Sequence, residues 1–243
     1  MSDTIVWISG ATGGIGGALK RHVPYPGARI INLDMREAEG CENVTFDLLD
    51  PASWERVAAH FAAELGAFKG KRAIFLQQAF VQTGMGVIGK VDRAGYRNSL
   101  TANFVAPVML AEAFLRASKP GYELGLMVMS SGAARGTPGQ SAYGASKAGL
   151  ETWVKVARNE FKQRPDTWIV AVRPGLVRTA TAKQSLDWDE KLYPRVHALR
   201  EAFDSVGVDP DLGGQRIWKA LPPQPNQALI SFDGSIDDKP VAA

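Results

Sequence analysis

Thr4–Gly17 reads TIVWISGATGGIGG. Thr4–Ser9 is a short β-branched and aromatic run of strand length. It leads directly into Gly10-Ala11-Thr12-Gly13-Gly14-Ile15-Gly16-Gly17. Ile15–His22 then reads as a helix ended by Pro24 and Pro26. Glycines without Cβ atoms let a backbone turn sharply and approach a pyrophosphate, while free N–H groups and the helix dipole face its charge. A glycine-rich turn alone is a weak signal, since a merely flexible loop reads the same. The strand before it and the helix after it give it weight.

The stretch that follows has the same rhythm. Ala28–Leu33 is a second strand ending in Asp34, about 20 residues past the glycines, where a carboxylate accepts from ribose hydroxyls. That charge repels a 2′-phosphate, so it favours NAD over NADP; Arg36 softens the preference, and a plain turn residue is the other reading of Asp34. Asn43–Phe46 is a third strand closed by Asp47, which either meets an adenine amino group or simply ends its strand. Asp50 and Pro51 occupy the cap and first position of a helix reaching about Leu65. Arg72–Leu76 is a fourth strand, and Gln77-Gln78-Ala79-Phe80 follows it.

A long helix is predicted over residues 92–117, with Asn103 and Pro107 inside it. The proline removes the bond to the Asn103 carbonyl, so the spacing predicts a kink that either holds a water or buries an ordinary asparagine. Leu124–Met129 is a fifth strand delivering Ser130 and Ser131. A helix over 141–161, a strand at Trp168–Val172, a helix at Pro210–Ala220 and a strand at Ala228–Phe232 complete the series. Residues 180–203 are polar, aromatic and irregular, and read as a substrate lid. Alternating strands and helices predict an α/β fold, a doubly wound parallel sheet of about seven strands with helices on both faces. Gly10–Gly16, Asp34, Asp47, Gln77–Phe80, the serine pair and Pro174-Gly175 all fall at strand C-termini, where such sheets bind ligands.

The bulk numbers narrow the rest. The 243 residues are 45% hydrophobic and carry a net charge of +3, with no basic run of the kind that binds nucleic acid. One cysteine and three scattered histidines predict no disulfide and no metal. No run of about 18 apolar residues and no basic leader stand out, so a soluble, cytoplasmic protein without membrane contact is expected.

Tyr143 and Lys147, four residues apart, share one helix face. A nearby ammonium lowers a phenol pKa, and a serine beside it steadies a carbonyl oxygen as charge develops. Such pairs are also common on solvated helix faces.

Gly10–Gly16, Asn103, the serine pair, Tyr143-Gly144-Ala145-Ser146-Lys147 and Arg173-Pro174-Gly175, in this order and spacing, resemble the short-chain dehydrogenase/reductase family. The resemblance covers essentially the whole chain. It implies one Rossmann-type domain over 1–243 and hydride transfer between NAD(P) and an alcohol/carbonyl pair. Tyr143 would be the acid/base and Lys147 its pKa partner and ribose anchor. Asn103 would hold a relay water through its backbone, and a serine would orient the substrate. Gly10, Thr12, Gly13, Gly14, Ile15 and Gly16 would cradle the cofactor, with Asp34, Asp47 and Leu48 at its adenosine end and Gln78 and Ala79 beneath. Pro174, Gly175, Val177 and Thr179 would cover the nicotinamide amide. The family also implies homodimers or homotetramers through its two long helices. The segment Ser130–Ala148 is similar to the sepiapterin- and benzil-reductase-like branch, whose NADPH preference Asp34 argues against.

Two departures stand out. Gln77-Gln78-Ala79-Phe80 replaces the family's Asn-Asn-Ala-Gly, which is expected to alter binding and keeps a catalytically silent dinucleotide-binding protein as the alternative function. The serine-to-tyrosine loop is one residue short, so motif alignment selects Ser131 and counting back from Tyr143 selects Ser130; Ser131 is preferred. Trp188, Tyr193, Phe203, Phe80 and Met85 predict an apolar, aromatic or alicyclic substrate, unless they pack among themselves. Arg178, Lys183 and Arg195 leave room for an acidic group on it.

Overall fold

β1 (Thr4–Ser9) is buried along its whole length, as a strand covered on both faces must be. The computed structural model describes residues 2–233; Met1 and residues 234–243, the ends of the expected 1–243 domain, lie outside the described residues. Around β1 runs a seven-stranded sheet in the order β3-β2-β1-β4-β5-β6-β7, all parallel. Its other strands are β2 (Arg29–Asp34), β3 (Glu42–Thr45), β4 (Arg72–Gln77), β5 (Glu123–Met129), β6 (Thr167–Arg173) and β7 (Leu229–Ser231). The order reverses between β1 and β4, which opens a crevice beyond their C-terminal ends.

Alternate residues on each strand feed two cores. Trp7, Leu33, Phe75, Leu126 and Ile169 face α2 (Pro51–Ala67), α4 (Ala106–Ala117) and α5 (Ser141–Glu160). Ile8, Leu76, Met127 and Val172 face α1 (Gly14–Arg21) and α8 (Pro210–Lys219). In the first core Trp7, Phe61, Phe75 and Phe114 are fully buried, with ring centroids 5.2–5.7 Å apart at tilted or edge-on angles. Those are the arrangements that aromatic quadrupoles favour.

The helix expected over 92–117 is present but has a widened turn instead of a simple kink. α3 (Arg93–Leu100) passes into a π-helical turn, Thr101–Val105, and then into α4. Pro107 has no N–H for the Asn103 carbonyl, and the ladder steps out by one residue: Ala106 N–H bonds to the Thr101 carbonyl. By length and composition Arg93–Ala117 is apolar enough to cross a membrane. Ala106, Leu110, Ala111 and Phe114 are instead fully buried in the first core.

The expected irregular lid is helical. Thr179 Oγ1 caps α6 (Ala180–Gln184) by accepting from Ala182 N–H, a 3₁₀ turn follows at Ser185–Asp187, and α7 (Val196–Ser205) comes next. Val196, Leu199, Ala202 and Phe203, at three- and four-residue spacing, give α7 its apolar face.

One polar bond inside the first core titrates. Trp7 Nε1–H donates to His60 Nε2 at 3.0 Å, so the imidazole must be neutral on that nitrogen. Burial pushes the His60 pKa down, outweighing Glu64, which pulls it up. The neutral form is favoured in the fold, so this contribution is complete above the unfolded-state pKa of about 6.5. It is lost as pH falls below that value, because the unfolded chain then binds the proton more readily. Urea unfolding at stepped pH should show the gap in stability between the native chain and His60→Gln shrinking from pH 7 to pH 5. A constant gap would contradict this role.

Candidate active site

Gly10 turns the chain at the end of β1 with φ +75°, a conformation that favours glycine. Gly16 has a different reason: a Cβ there would lie 2.1 Å from the Gly10 carbonyl oxygen, so α1 packs onto the turn only as glycine. Gly13, at the N-cap of α1, has no side-chain cap, and the first turn carries no acid. Its Cβ position meets nothing within 4 Å. A helix N-terminus with uncapped N–H groups thus faces the crevice.

Gln78 explains the altered motif after β4. Its Nε2 donates to the Ser9 and Gly10 carbonyls at 2.6 and 2.9 Å. Ser9 Oγ accepts from the N–H groups of Gln78 and Ala79 at 2.9 and 3.0 Å. The longer amide therefore reaches under the glycine turn and ties it to β4.

At the far end Asp34 Oδ2 accepts from Thr12 Oγ1 at 2.7 Å and Oδ1 from Arg36 N–H at 3.1 Å. The Arg36 guanidinium bonds to Thr12 Oγ1 at 2.6 Å and leaves most of its surface exposed. Asp47 Oδ1 accepts from Leu49 N–H, so this side chain does cap its own turn while also lining the crevice.

The two serines part company at the end of β5. Ser130 is buried and donates to Glu151 Oε1 at 2.5 Å. Glu151 also takes Arg173 Nε and Nη2 at 2.7 and 2.8 Å. Ser131 Oγ accepts from Ala133 N–H at 3.2 Å, and the residue lines the crevice beside Tyr143, whose pKa it lowers. Lys147 is 1% exposed; its Nζ donates to the Met129 carbonyl at 2.8 Å and lies 5.5 Å from the Tyr143 ring centre.

Electrostatically the pair departs from expectation. Burial pushes the Tyr143 hydroxyl up to about 12, and the Ser131 bond pulls it down by less. Burial brings Lys147 down to about 7. Desolvation thus acts on both groups, raising the phenol and lowering the amine, and at Tyr143 it outweighs the lowering by Ser131.

Asn103 sits behind this group. Its Nδ2 donates to the Val81 carbonyl at 2.9 Å and its Oδ1 accepts from Val81 N–H at 3.0 Å, so the side-chain amide clamps the loop after β4. Pro107, four residues on, has no N–H to donate to the Asn103 backbone carbonyl.

All the sequence-predicted site residues except Gly16 and Asn103 line one crevice of about 800 Å³. Pro174, Gly175, Val177 and Thr179 form its wall after β6, and Phe80, Met85, Trp188 and Tyr193 its outer end. Arg195 lines it; Arg178 and Lys183 do not. Among the described residues no three His, Cys, Asp or Glu side chains gather as a metal site. The reading of the sequence missed Glu151 and Arg173 as anchors. Glu151 lies four residues past Lys147 and eight past Tyr143, on the same helix face, and that spacing was the available signal.

A family model described as short chain dehydrogenase matches residues 4–190. The uncharacterized oxidoreductase YbbO of Escherichia coli K12 is 28% identical over 186 residues, 72% of this chain and 66% of that protein. Dehydrogenase/reductase SDR family member 7B of Bos taurus is 26% identical over 243 residues, 90% of this chain and 70% of that protein. The matches thus span about two thirds of the length of these relatives. Among solved structures, the KRED1-Pglu enzyme superposes with a TM-score of 0.78 at 19% identity, covering 93% of this chain and 100% of that one. A short chain dehydrogenase from Burkholderia cenocepacia in complex with NADP gives 0.75 at 18%, covering 97% and 98%. 4-Hydroxyisoleucine dehydrogenase complexed with NADH gives 0.75 at 18%, covering 98% and 100%. At these identities the superpositions speak for the fold. The family model, by contrast, runs from the first strand through the glycine turn and the tyrosine helix into the lid, and on that match the chain belongs to the short-chain dehydrogenase/reductase family of oxidoreductases.

Proposed function

We propose that the protein reduces a small apolar ketone or aldehyde to its alcohol, or runs the reverse, with a nicotinamide dinucleotide. One observation carries the reading: Ser131, Tyr143 and Lys147 line the same crevice as the uncapped N-terminus of α1. The residues present fit the dinucleotide. Gly13 leaves room for a pyrophosphate at the helix end, and Asp34 stands where ribose hydroxyls need an acceptor.

When bound, the reduced dinucleotide supplies a hydride to the carbonyl carbon. Tyr143 gives its proton to the carbonyl oxygen, completing the alcohol and leaving a phenolate. Ser131 holds that oxygen while charge develops on it. Lys147, whose pKa burial brings down to about 7, is placed beside Tyr143 to stabilise the phenolate left behind when it carries its proton. We assign to the Asn103 carbonyl the water that returns a proton. The raised pKa leaves Tyr143 protonated at neutral pH, the form that donates a proton in reduction. Phe80, Met85, Trp188, Tyr193 and Leu199 around the outer crevice support an apolar substrate. Trp188 and Tyr193 also pack edge-on at 4.8 Å, so part of that lining braces the lid. Val105 and Met109 on the helix pair's outer side and Val156 on α5 are exposed, which supports pairing of two copies through this face, as the family implies.

Tyr143→Phe should cost at least about 100-fold in kcat for carbonyl reduction while NADH still quenches protein fluorescence. Near-normal turnover would remove Tyr143 from the acid role. Binding without turnover of any carbonyl by the native chain would favour the silent nucleotide-binding reading.

Asp34 supports NAD over NADP, because a 2′-phosphate would meet its carboxylate. Fluorescence titration should give a tighter Kd for NADH than for NADPH, and Asp34→Ala should narrow the ratio by about tenfold or more. Equal affinities in the native chain would contradict the preference.

A further inference from the structure

Phe80 is an unusual surface for a crevice wall: a ring 38% exposed, set beside the proposed acid. Its centroid lies 6.0 Å from that of Tyr143, with the planes tilted 52°. A carbonyl oxygen within reach of the Tyr143 hydroxyl therefore places one of its substituents alongside the Phe80 ring.

The chain on both sides of Phe80 is pinned. Before it, Ser9 Oγ accepts from the N–H groups of Gln78 and Ala79, and the Gln78 amide grips the Ser9 and Gly10 carbonyls. After it, Val81 exchanges both backbone bonds with the Asn103 side chain. The backbone that carries Phe80 is thus held between two clamps, so the loop presents its ring beside Tyr143 without having to be ordered by the substrate. Preorganisation preserves the binding energy that ordering a mobile loop would otherwise cost.

We propose that Phe80 determines specificity for the proposed reductase: it is a fixed wall against which an aryl or other flat, conjugated substituent of the carbonyl substrate stacks. This rests on the reductase reading. An aromatic pair contributes about 0.5–1.5 kcal/mol beyond area burial. At 1.36 kcal/mol per tenfold change in rate, that is a preference of about 2- to 12-fold. A saturated ring of the same size covers the wall equally but presents no π face.

The matched probes are acetophenone and cyclohexyl methyl ketone. For each, kcat/KM with NADH is measured on the native chain and on Phe80→Leu, which keeps an apolar side chain and loses the ring. Dividing the aryl-to-cyclohexyl ratio of one protein by that of the other cancels the intrinsic reactivities of the ketones. NADH binding by fluorescence reports that the variant is folded. The expected result is a ratio about 2- to 12-fold higher in the native chain, most of it in KM. Equal ratios in two active proteins would overturn the wall and leave the reductase reading standing. Absence of turnover of these ketones and of every other aryl, alicyclic and aliphatic carbonyl in a panel by a native chain that binds NADH would instead overturn the reductase reading, and the wall with it.

Discussion

The site depends on one buried hydrogen bond. Lys147 carries its nitrogen into a place where 1% of the residue meets solvent and donates it to the Met129 carbonyl at 2.8 Å. A lysine amine taken out of water needs such a partner, because an unmet donor there is costly. The bond joins the middle of α5 to the last residue of β5, and so it sets the rotation of the helix that presents Tyr143. Burial of the same amine lowers its pKa to about 7, which makes the group that fixes the geometry also the one whose charge is most easily changed.

A second anchor lies one turn further along α5. Glu151 takes Ser130 from β5 and Arg173 from β6, with its own and the arginine's side chains each 12% exposed. Removing one member of a pair this buried leaves the other uncompensated, so the two stand or fall together. The anchor also engages the Ser130 hydroxyl, which leaves Ser131 as the serine beside Tyr143 without a carboxylate partner. Beyond Arg173 the chain enters Pro174-Gly175, where Gly175 adopts φ +73° against the Phe232 carbonyl. The tyrosine helix and the wall after β6 are therefore held in register by one carboxylate.

Much of this was legible in the sequence, and the reasons are physical. Parallel strands buried on both faces are continuous apolar runs, so Thr4–Ser9 and Arg72–Leu76 announce themselves. Ligand-facing residues at strand ends follow from the topology, which is why Asp34 and the serine pair could be named before their contacts were known, while Tyr143 stood out by its spacing to Lys147 and by the family resemblance. What could not be read depended on competition between neighbours in space. The π turn at Thr101–Val105 is one answer among several to a proline in a helix. Helices α6, capped by Thr179, and α7 carry an amphipathic pattern too short to stand out. The sign of the Tyr143 shift required knowing that desolvation exceeds the lowering by Ser131, and burial is a property of the folded chain alone.

The central claim is that burial holds Tyr143 as a neutral acid. The most direct measurement is an absorbance titration of the phenolate band, taken as the difference between the native chain and Tyr143→Phe. With a hydroxyl pushed up to about 12, Tyr143 should remain almost wholly protonated at about pH 10, where an ordinary tyrosine is half ionised. A phenolate signal from Tyr143 already present near neutral pH would contradict the account and restore Lys147 as the dominant influence on its proton.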